Sequence, residues 1–310
     1  MIVEVKNLVK RYDKLVALDH MNLAVEEGEI FGLLGPNGSG KTTAINCILS
    51  LLKYDKGSID IFGKNMRPEA FDIKKDIGIV MQNVAVFEEL TVYENVSFFC
   101  SLYVKDPIEV KRLTEEVITF VALEDYVKFL PKKLSGGLLR RLNIACGIVH
   151  NPKLIILDEP TVAVDPQSRK KILNEIRKLN ENGATIIYTS HYMEEVEELC
   201  TRIAIIDKGK VIATGTKDEL KGMISLGEKI TVEAYNISED QLLEMRELAN
   251  ISSVDYINNQ LLIKSKKGKN NLIHVLDYLQ NHEVNFGKIY TELPTLNDVF
   301  LEITGKELRD

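Results

Sequence analysis

The sequence predicts an α/β core of parallel strands, interrupted by a helical subdomain and followed by a small α+β domain. Three observations carry this. The first two thirds of the chain contain short, continuously apolar runs, the pattern of strands buried on both faces of a helix-covered sheet. Between Glu88 and Val149 those runs vanish and helical periodicity takes over. Beyond the glycines at 222 and 227, strand-like segments alternate apolar and polar residues instead.

The core strands are predicted at Ile30–Leu34, Ile77–Val80, Leu154–Leu157, Thr185–Tyr188 and Ile203–Ile206. The helical subdomain, about residues 86–150, is read from Val92 to Tyr103, Ile108 to Phe120 and Ser135 to Val149. A boundary is placed after residue 222, giving domains 1–222 and 223–310. In the second, Lys229–Tyr235 is a strand and Glu239–Leu248 a helix. Strands Ser253–Ile257 and Leu261–Lys264 follow, joined by an Asn258-Asn259 turn. Helix Leu272–Gln280 and strand Phe286–Tyr290 complete the set. The order β-α-β-β-α-β is ferredoxin-like. A last amphipathic helix follows Pro294, with Thr295 as cap and Asp298 three residues on.

Composition limits the function classes. The chain has 310 residues, 45% hydrophobic and 27% charged, which fits globular domains and excludes a disordered or collagen-like chain. No uncharged apolar run reaches the ~18 residues that span a bilayer. The N-terminal segment lacks the zones of a signal peptide, so a cytosolic protein is expected. A net charge of −7 disfavours gripping nucleic acid as the main task. Cys47, Cys100, Cys146 and Cys200 are widely spaced and read as buried reduced thiols.

The strongest local signal is Gly35-Pro36-Asn37-Gly38-Ser39-Gly40-Lys41-Thr42-Thr43, placed between a strand and a helix. Its glycines let successive N–H groups curl toward phosphate oxygens, and the helix N-terminus adds the positive end of a dipole. Lys41 suits the β and γ phosphates, and the Thr42 hydroxyl suits Mg²⁺. Two acids, Asp158 and Glu159, stand at the carboxyl end of the strand Leu154–Leu157. Asp158 fits a direct or indirect Mg²⁺ role, and Glu159 fits polarising a water toward the γ phosphate. Two further strands run into Gln82 and His191. Singly, each would be an ordinary loop residue. Ligand sites in open parallel sheets form beyond the carboxyl ends of strands, which brings all five segments to one crevice.

The ordered set resembles the ATP-binding-cassette (ABC) ATPases, whose core is a P-loop NTPase fold. The decisive segment is Leu134-Ser135-Gly136-Gly137-Leu138, which resembles the family's signature loop and lies between the phosphate loop and the acidic strand. The resemblance covers roughly residues 1–220. It implies ATP and Mg²⁺ as cofactors, with the phosphate loop on the nucleotide and Tyr12 stacked on adenine. Thr42, Gln82 and Asp158 would serve the metal. Glu159, His191 and Gln82 would be catalytic, with His191 contacting the γ phosphate. Ser135, Gly136 and Gly137 would complete the site of an opposite cassette, and Asp165 would link the two sites. Leu138 departs from the family's glutamine, which implies weaker or differently tuned closure rather than a dead site.

The C-terminal ~85 residues, ending in Leu293-Pro294-Thr295-Leu296-Asn297-Asp298-Val299-Phe300, resemble the accessory domain of one export branch. The resemblance therefore implies a homodimer or cassette heterodimer on the inner face of the cell membrane, docked on a permease encoded by another chain. The alternative is a soluble ABC-type ATPase acting on nucleic acid or the ribosome. Ser135 follows Lys41 by only 94 residues (135 − 41), too few for a long coiled-coil insertion.

Overall fold

The chain begins with an antiparallel hairpin, β1 (Val3–Tyr12) and β2 (Leu15–Val25), closed by a turn in which Asp13 has a φ of 50°. The computed structural model describes residues 1–268 and 271–305. Next come β3 (Ile30–Leu34), α1 (Lys41–Ile48), β4 (Lys56–Ile61), the short β5 (Lys64–Asn65), α2 (Phe71–Lys74) and β6 (Ile77–Val80). Two helices follow: α3 (Val92–Ser101), started by a Thr91–Glu94 capping box, and α4 (Pro107–Phe120), capped by Asp106 with Pro107 in its first turn. Helix α5 (Gly136–Ile148) is capped by Ser135, and α6 (Pro166–Glu181) by Asp165. Around them lie β7 (Leu154–Asp158), β8 (Thr185–Ser190), α7 (Met193–Leu199), β9 (Arg202–Asp207), β10 (Lys210–Gly215) and α8 (Lys217–Met223).

Six strands form the central sheet in the order β10-β9-β3-β8-β7-β6, parallel except for the β9–β10 hairpin. Every residue of β3, β7 and β8 is buried, as continuous apolar runs require when helices cover both faces. The five predicted core strands all form, within two residues at each end. The N-terminal sheet, β2-β1-β4-β5, and strand β10 were not predicted. Bulges break the alternation of β1 at three places, so no clean period of two survives in the sequence. One apolar core joins this sheet to the central one through Val3, Leu8, Met21, Ile59, Leu33 and the α1 residues Ile45 and Ile48.

The chain divides between Lys217 and Asp218, ahead of the predicted break at residue 222. The second unit carries β11 (Leu226–Tyr235), α9 (Glu239–Arg246), β12 (Ile251–Ile257), β13 (Gln260–Lys266), α10 (Asn271–Asn281), β14 (Asn285–Glu292) and α11 (Leu296–Thr304). Its sheet order is β12-β13-β11-β14, all antiparallel, the ferredoxin-like arrangement. Asn258 and Asn259 both adopt positive φ, 53° and 62°, as a tight two-residue hairpin requires. Ile230, Val232, Leu261, Ile263, Val275 and Leu279 close a separate core. Thr295 and Asp298 form the expected capping box on α11.

All four cysteines are free and buried. Burial pushes the Cys47 thiol up to about 11 and raises Cys100, Cys146 and Cys200 as well. No helix among the described residues is long and apolar enough to cross a membrane.

Candidate active site

The loop between β3 and α1 is shaped by backbone that only glycine tolerates. Gly40 caps α1 with a φ of 109°, and Gly38 has a φ of 77°. A Cβ on Gly35 would fall 2.3 Å from the Ile206 carbonyl oxygen. The loop therefore sits tight against the ends of neighbouring strands. The β9–β10 turn braces it further, since the Gly209 N–H donates to the Ser39 carbonyl at 2.8 Å.

Lys41 folds back over this loop. Its ammonium donates to the Gly35 carbonyl at 2.8 Å and the Pro36 carbonyl at 3.2 Å, and lies 3.1 Å from Glu159 Oε1. Both partners of that ion pair are almost wholly buried, with side chains 4% and 6% exposed. Such a pair keeps its charges only because each finds compensating partners. The Thr42 hydroxyl donates to Asp158 Oδ2 at 2.9 Å. The Gln82 amide donates to Glu159 Oε2 at 3.4 Å, and His191 Nδ1 stands 3.3 Å from the same oxygen. Glu159 is thus the meeting point of Lys41, Gln82 and His191.

Glu159 has a φ of 48°, the left-handed region, which costs a non-glycine residue about 1–2 kcal/mol. Thr189 holds it there. The Glu159 N–H donates to both the Thr189 carbonyl (3.2 Å) and the Thr189 hydroxyl (3.0 Å). The same hydroxyl donates to Asp158 Oδ1 at 2.5 Å, so one threonine on β8 orients both acids, the last residue of β7 and the one after it. Sequence reading did not single out Thr189. Its place, in a run of three hydroxyl residues that closes β8 after two isoleucines, does not distinguish it from Tyr188 or Ser190.

These residues border a cleft of about 490 Å³ whose walls include Tyr12, Val16, Asn37, Lys41, Thr42 and Glu159. Gln82 and Lys208 also line it, the latter unforeseen. Tyr12 is 45% exposed and carries the Lys10 ammonium 5.0 Å from its ring centre. Asp158 and His191 do not line the cleft but touch residues that do.

Ser135, Gly136, Gly137 and Asp165 lie apart from this cleft. The Ser135 hydroxyl accepts the Leu138 N–H at 3.4 Å and caps α5. A Cβ on Gly137 would meet Ser168 Oγ at 2.4 Å, so α5 begins hard against the first turn of α6. Asp165 accepts the Ser168 N–H at 3.0 Å, and its hydrogen bonds with Ser168 hold its carboxyl below the usual range. Gly136 faces open space apart from the Ala163 carbonyl 3.9 Å away.

Behind the site, sequence reading also missed Glu195. Its buried carboxylate accepts the hydroxyls of Thr161 (2.7 Å), Tyr188 (2.7 Å) and Ser190 (3.1 Å), and pairs with Arg169 at 3.2 Å. It ties the segments after Glu159 and before His191 to helix α6.

The loop fits a nucleotide triphosphate. Ser39 Oγ is buried within the loop and lacks a hydrogen-bond partner, so a donor or acceptor is wanted there. Thr42 and Asp158 offer hard oxygen atoms to Mg²⁺, which favours one or two carboxylates plus phosphate oxygens over a full protein cage.

Comparison with known proteins agrees with this geometry. The family profile described as ABC transporter matches residues 18–162. The chain is 39% identical over 311 residues to the linearmycin resistance ATP-binding protein LnrL of Bacillus subtilis (strain 168), with both chains covered in full. It is 32% identical over 309 residues to the daunorubicin resistance ATP-binding protein DrrA3 of Streptomyces coeruleorubidus, covering 99% of this chain and 97% of that protein. An ATP-binding cassette solved as a dimer in a post-hydrolysis state with ADP and Pi superposes with a TM-score of 0.64. It is 30% identical and covers 69% of this chain and 98% of its own. The chain belongs to the ABC transporter family, as one of its ATP-binding, ATP-hydrolysing proteins.

Proposed function

We propose that this chain is the ATP-driven motor subunit of an exporter, working as a pair of cassettes on the cytosolic face of a membrane permease made by another chain. The observation that carries this is the convergence of Lys41, Gln82 and His191 on Glu159 at the ends of four strands, beside the phosphate loop. The family's activity needs such a set: a cradle, a cation, a carboxylate and a sensor of the γ phosphate.

In this reading the N–H groups of Gly38, Ser39, Gly40, Lys41, Thr42 and Thr43 bind the phosphates, with Gly35, Pro36 and Asn37 shaping the loop. Tyr12 stacks on the adenine. Mg²⁺, when bound, neutralises charge on the β and γ phosphates. Thr42 and Asp158 hold that ion, with Gln82 beside it. Lys41 turns from Glu159 to the phosphates, which leaves the Glu159 carboxylate free to take a proton from the attacking water. His191 donates to the γ phosphate.

Ser135, Gly136 and Gly137 do not line their own cleft, and Ser135 and Gly136 are exposed, which supports their service to the nucleotide of a second cassette, with Asp165 between the two sites. The cassette solved as a dimer with ADP and Pi supports the pairing of two cassettes. Export follows the resistance proteins named above, which match over the full length. The permease would dock beside the Gln82 segment. There Phe87, Phe98 and Phe99 pack with ring centres 5.0–5.9 Å apart, and Phe87 and Phe98 remain over 40% exposed. The unit after residue 217 is assigned an accessory role.

The test is to isolate the chain from membranes of cells that make it. A multi-span protein should co-purify, and the complex should hydrolyse ATP with Mg²⁺. Recovery of an active ATPase with nucleic acid or ribosomes, and with no membrane protein, would overturn the exporter reading.

A further inference from the structure

Helix α5 is attached to the nucleotide site at two places beyond its cap. At its far end, Gly147 packs backbone to backbone on β6. A Cβ on Gly147 would meet the Ile79 carbonyl at 2.6 Å, and one on Gly78 would meet the Gly147 carbonyl at 2.6 Å. Nearer its start, Arg140 reaches across to the segment after β6. Its two terminal nitrogens donate to the carbonyls of Met81 (3.0 Å) and Gln82 (2.8 Å). One turn on, Asn143 donates to the Met81 carbonyl at 3.4 Å and accepts the Ala85 N–H at 3.1 Å.

Arg140 is 6% exposed, and among the described residues it forms no ion pair with a carboxylate. Burial lowers its pKa below the ordinary guanidinium value. A buried cation answered only by carbonyls is a poor device for stability, since an apolar side chain of the same size would spare the desolvation. Its geometry does something else. The planar fork matches two successive carbonyls and sets the backbone from which the Gln82 amide reaches Glu159.

We propose that Arg140 is the positioning residue that ties Gln82 to the signature serine, so that the cleft and the opposing site share one moving part. With Gly147 as pivot, Arg140 lies about 10 Å along the helix and Ser135 about 18 Å, at 1.5 Å per residue. A tilt that moves Ser135 by ~1 Å moves the Arg140 grip by ~0.6 Å, in the same sense. Gln82 is thereby drawn toward or away from Glu159 as the signature end swings. The inference rests on the roles given above to Gln82 and Ser135.

Arg140→Met, Arg140→Lys, Asn143→Ala and Gln82→Ala, each in the full chain, test it. Arg140→Met should lower kcat at saturating ATP by about tenfold or more. The ATP Kd should stay within about twofold and the unfolding midpoint should not fall. In a Glu159→Gln background it should reduce the ATP-dependent dimer. Arg140→Lys and Asn143→Ala should each lower kcat by less than about tenfold, with the ATP Kd within about twofold of the unsubstituted chain; these two carry the test if the methionine variant does not fold. Unchanged kcat in the Arg140 variants beside an impaired Gln82→Ala would overturn the inference and leave the cassette reading standing. Full turnover in Gln82→Ala would overturn both. Parallel loss of affinity, kcat and thermal midpoint, unrescued by lysine, would reduce Arg140 to a packing role.

Discussion

The nucleotide cleft and the signature face solve opposite problems within one unit. In the cleft, charge is folded inward: Lys41 and Glu159 pair at 3.1 Å, and Thr42 answers Asp158 at 2.9 Å. At the signature, Ser135 and Gly136 are exposed, with small residues and a helix start turned outward. The charged groups of the first region find their partners within the chain. The second is built for something that approaches from outside. The difference teaches that binding and closure are separable in this molecule, although a single helix joins them.

Breaking the cleft should have the largest effect. Glu159→Gln removes the carboxylate but keeps the size of the side chain. We expect turnover to fall by about 10²–10⁴-fold while ATP binding persists. Gel filtration with ATP and Mg²⁺ should show a dimer; a monomer would count against the two-cassette site.

Gly137→Ala should break the other side. The added methyl would press on Ser168, displacing the first turn of α5 from α6 at a cost of about 1–3 kcal/mol. ATP titration of the monomer should change by less than about twofold, while ATP-driven dimerisation in the Glu159→Gln background should weaken at least about tenfold. If both measurements fell together, the two regions would not be separable.

The smallest effect lies behind the signature face, at Glu175 on α6. Burial pushes its carboxyl up to about 7, against the opposing influence of Arg141, Lys178 and Lys171. The folded protein then holds a proton that the unfolded chain releases near 4.5. Stability from this group is full below that value and is lost as pH rises to about 7. Glu175→Gln should flatten that part of the stability curve, by an amount on the order of 1–3 kcal/mol. Urea unfolding at pH 5 and pH 8 measures it, and an equal slope in both proteins would place Glu175 outside the titration.

What the sequence disclosed were features carried by contiguous residues. The phosphate loop, the acids at the end of β7 and the capping box at Thr295 are local patterns, and each appears where its spacing put it. The features that escaped are made by tertiary contact. Thr189 orients two acids at the end of another strand, and Glu195 gathers three hydroxyls from two segments. The left-handed backbone of Glu159 leaves no trace in residue type. The N-terminal sheet was hidden for another reason, because its bulges erase the alternation by which a half-buried strand is known.

The buried cysteines make this protein convenient to label. Thiolate is the form that alkylating dyes attack, and here every native thiol is both enclosed and hard to ionise. A cysteine placed on the surface would be the reactive one at neutral pH. Lys133→Cys, just ahead of the signature, and Lys14→Cys, in the β1–β2 turn beside Tyr12, replace exposed residues. A donor dye on one and an acceptor on the other would follow two cassettes as they meet, with the four native cysteines left in place.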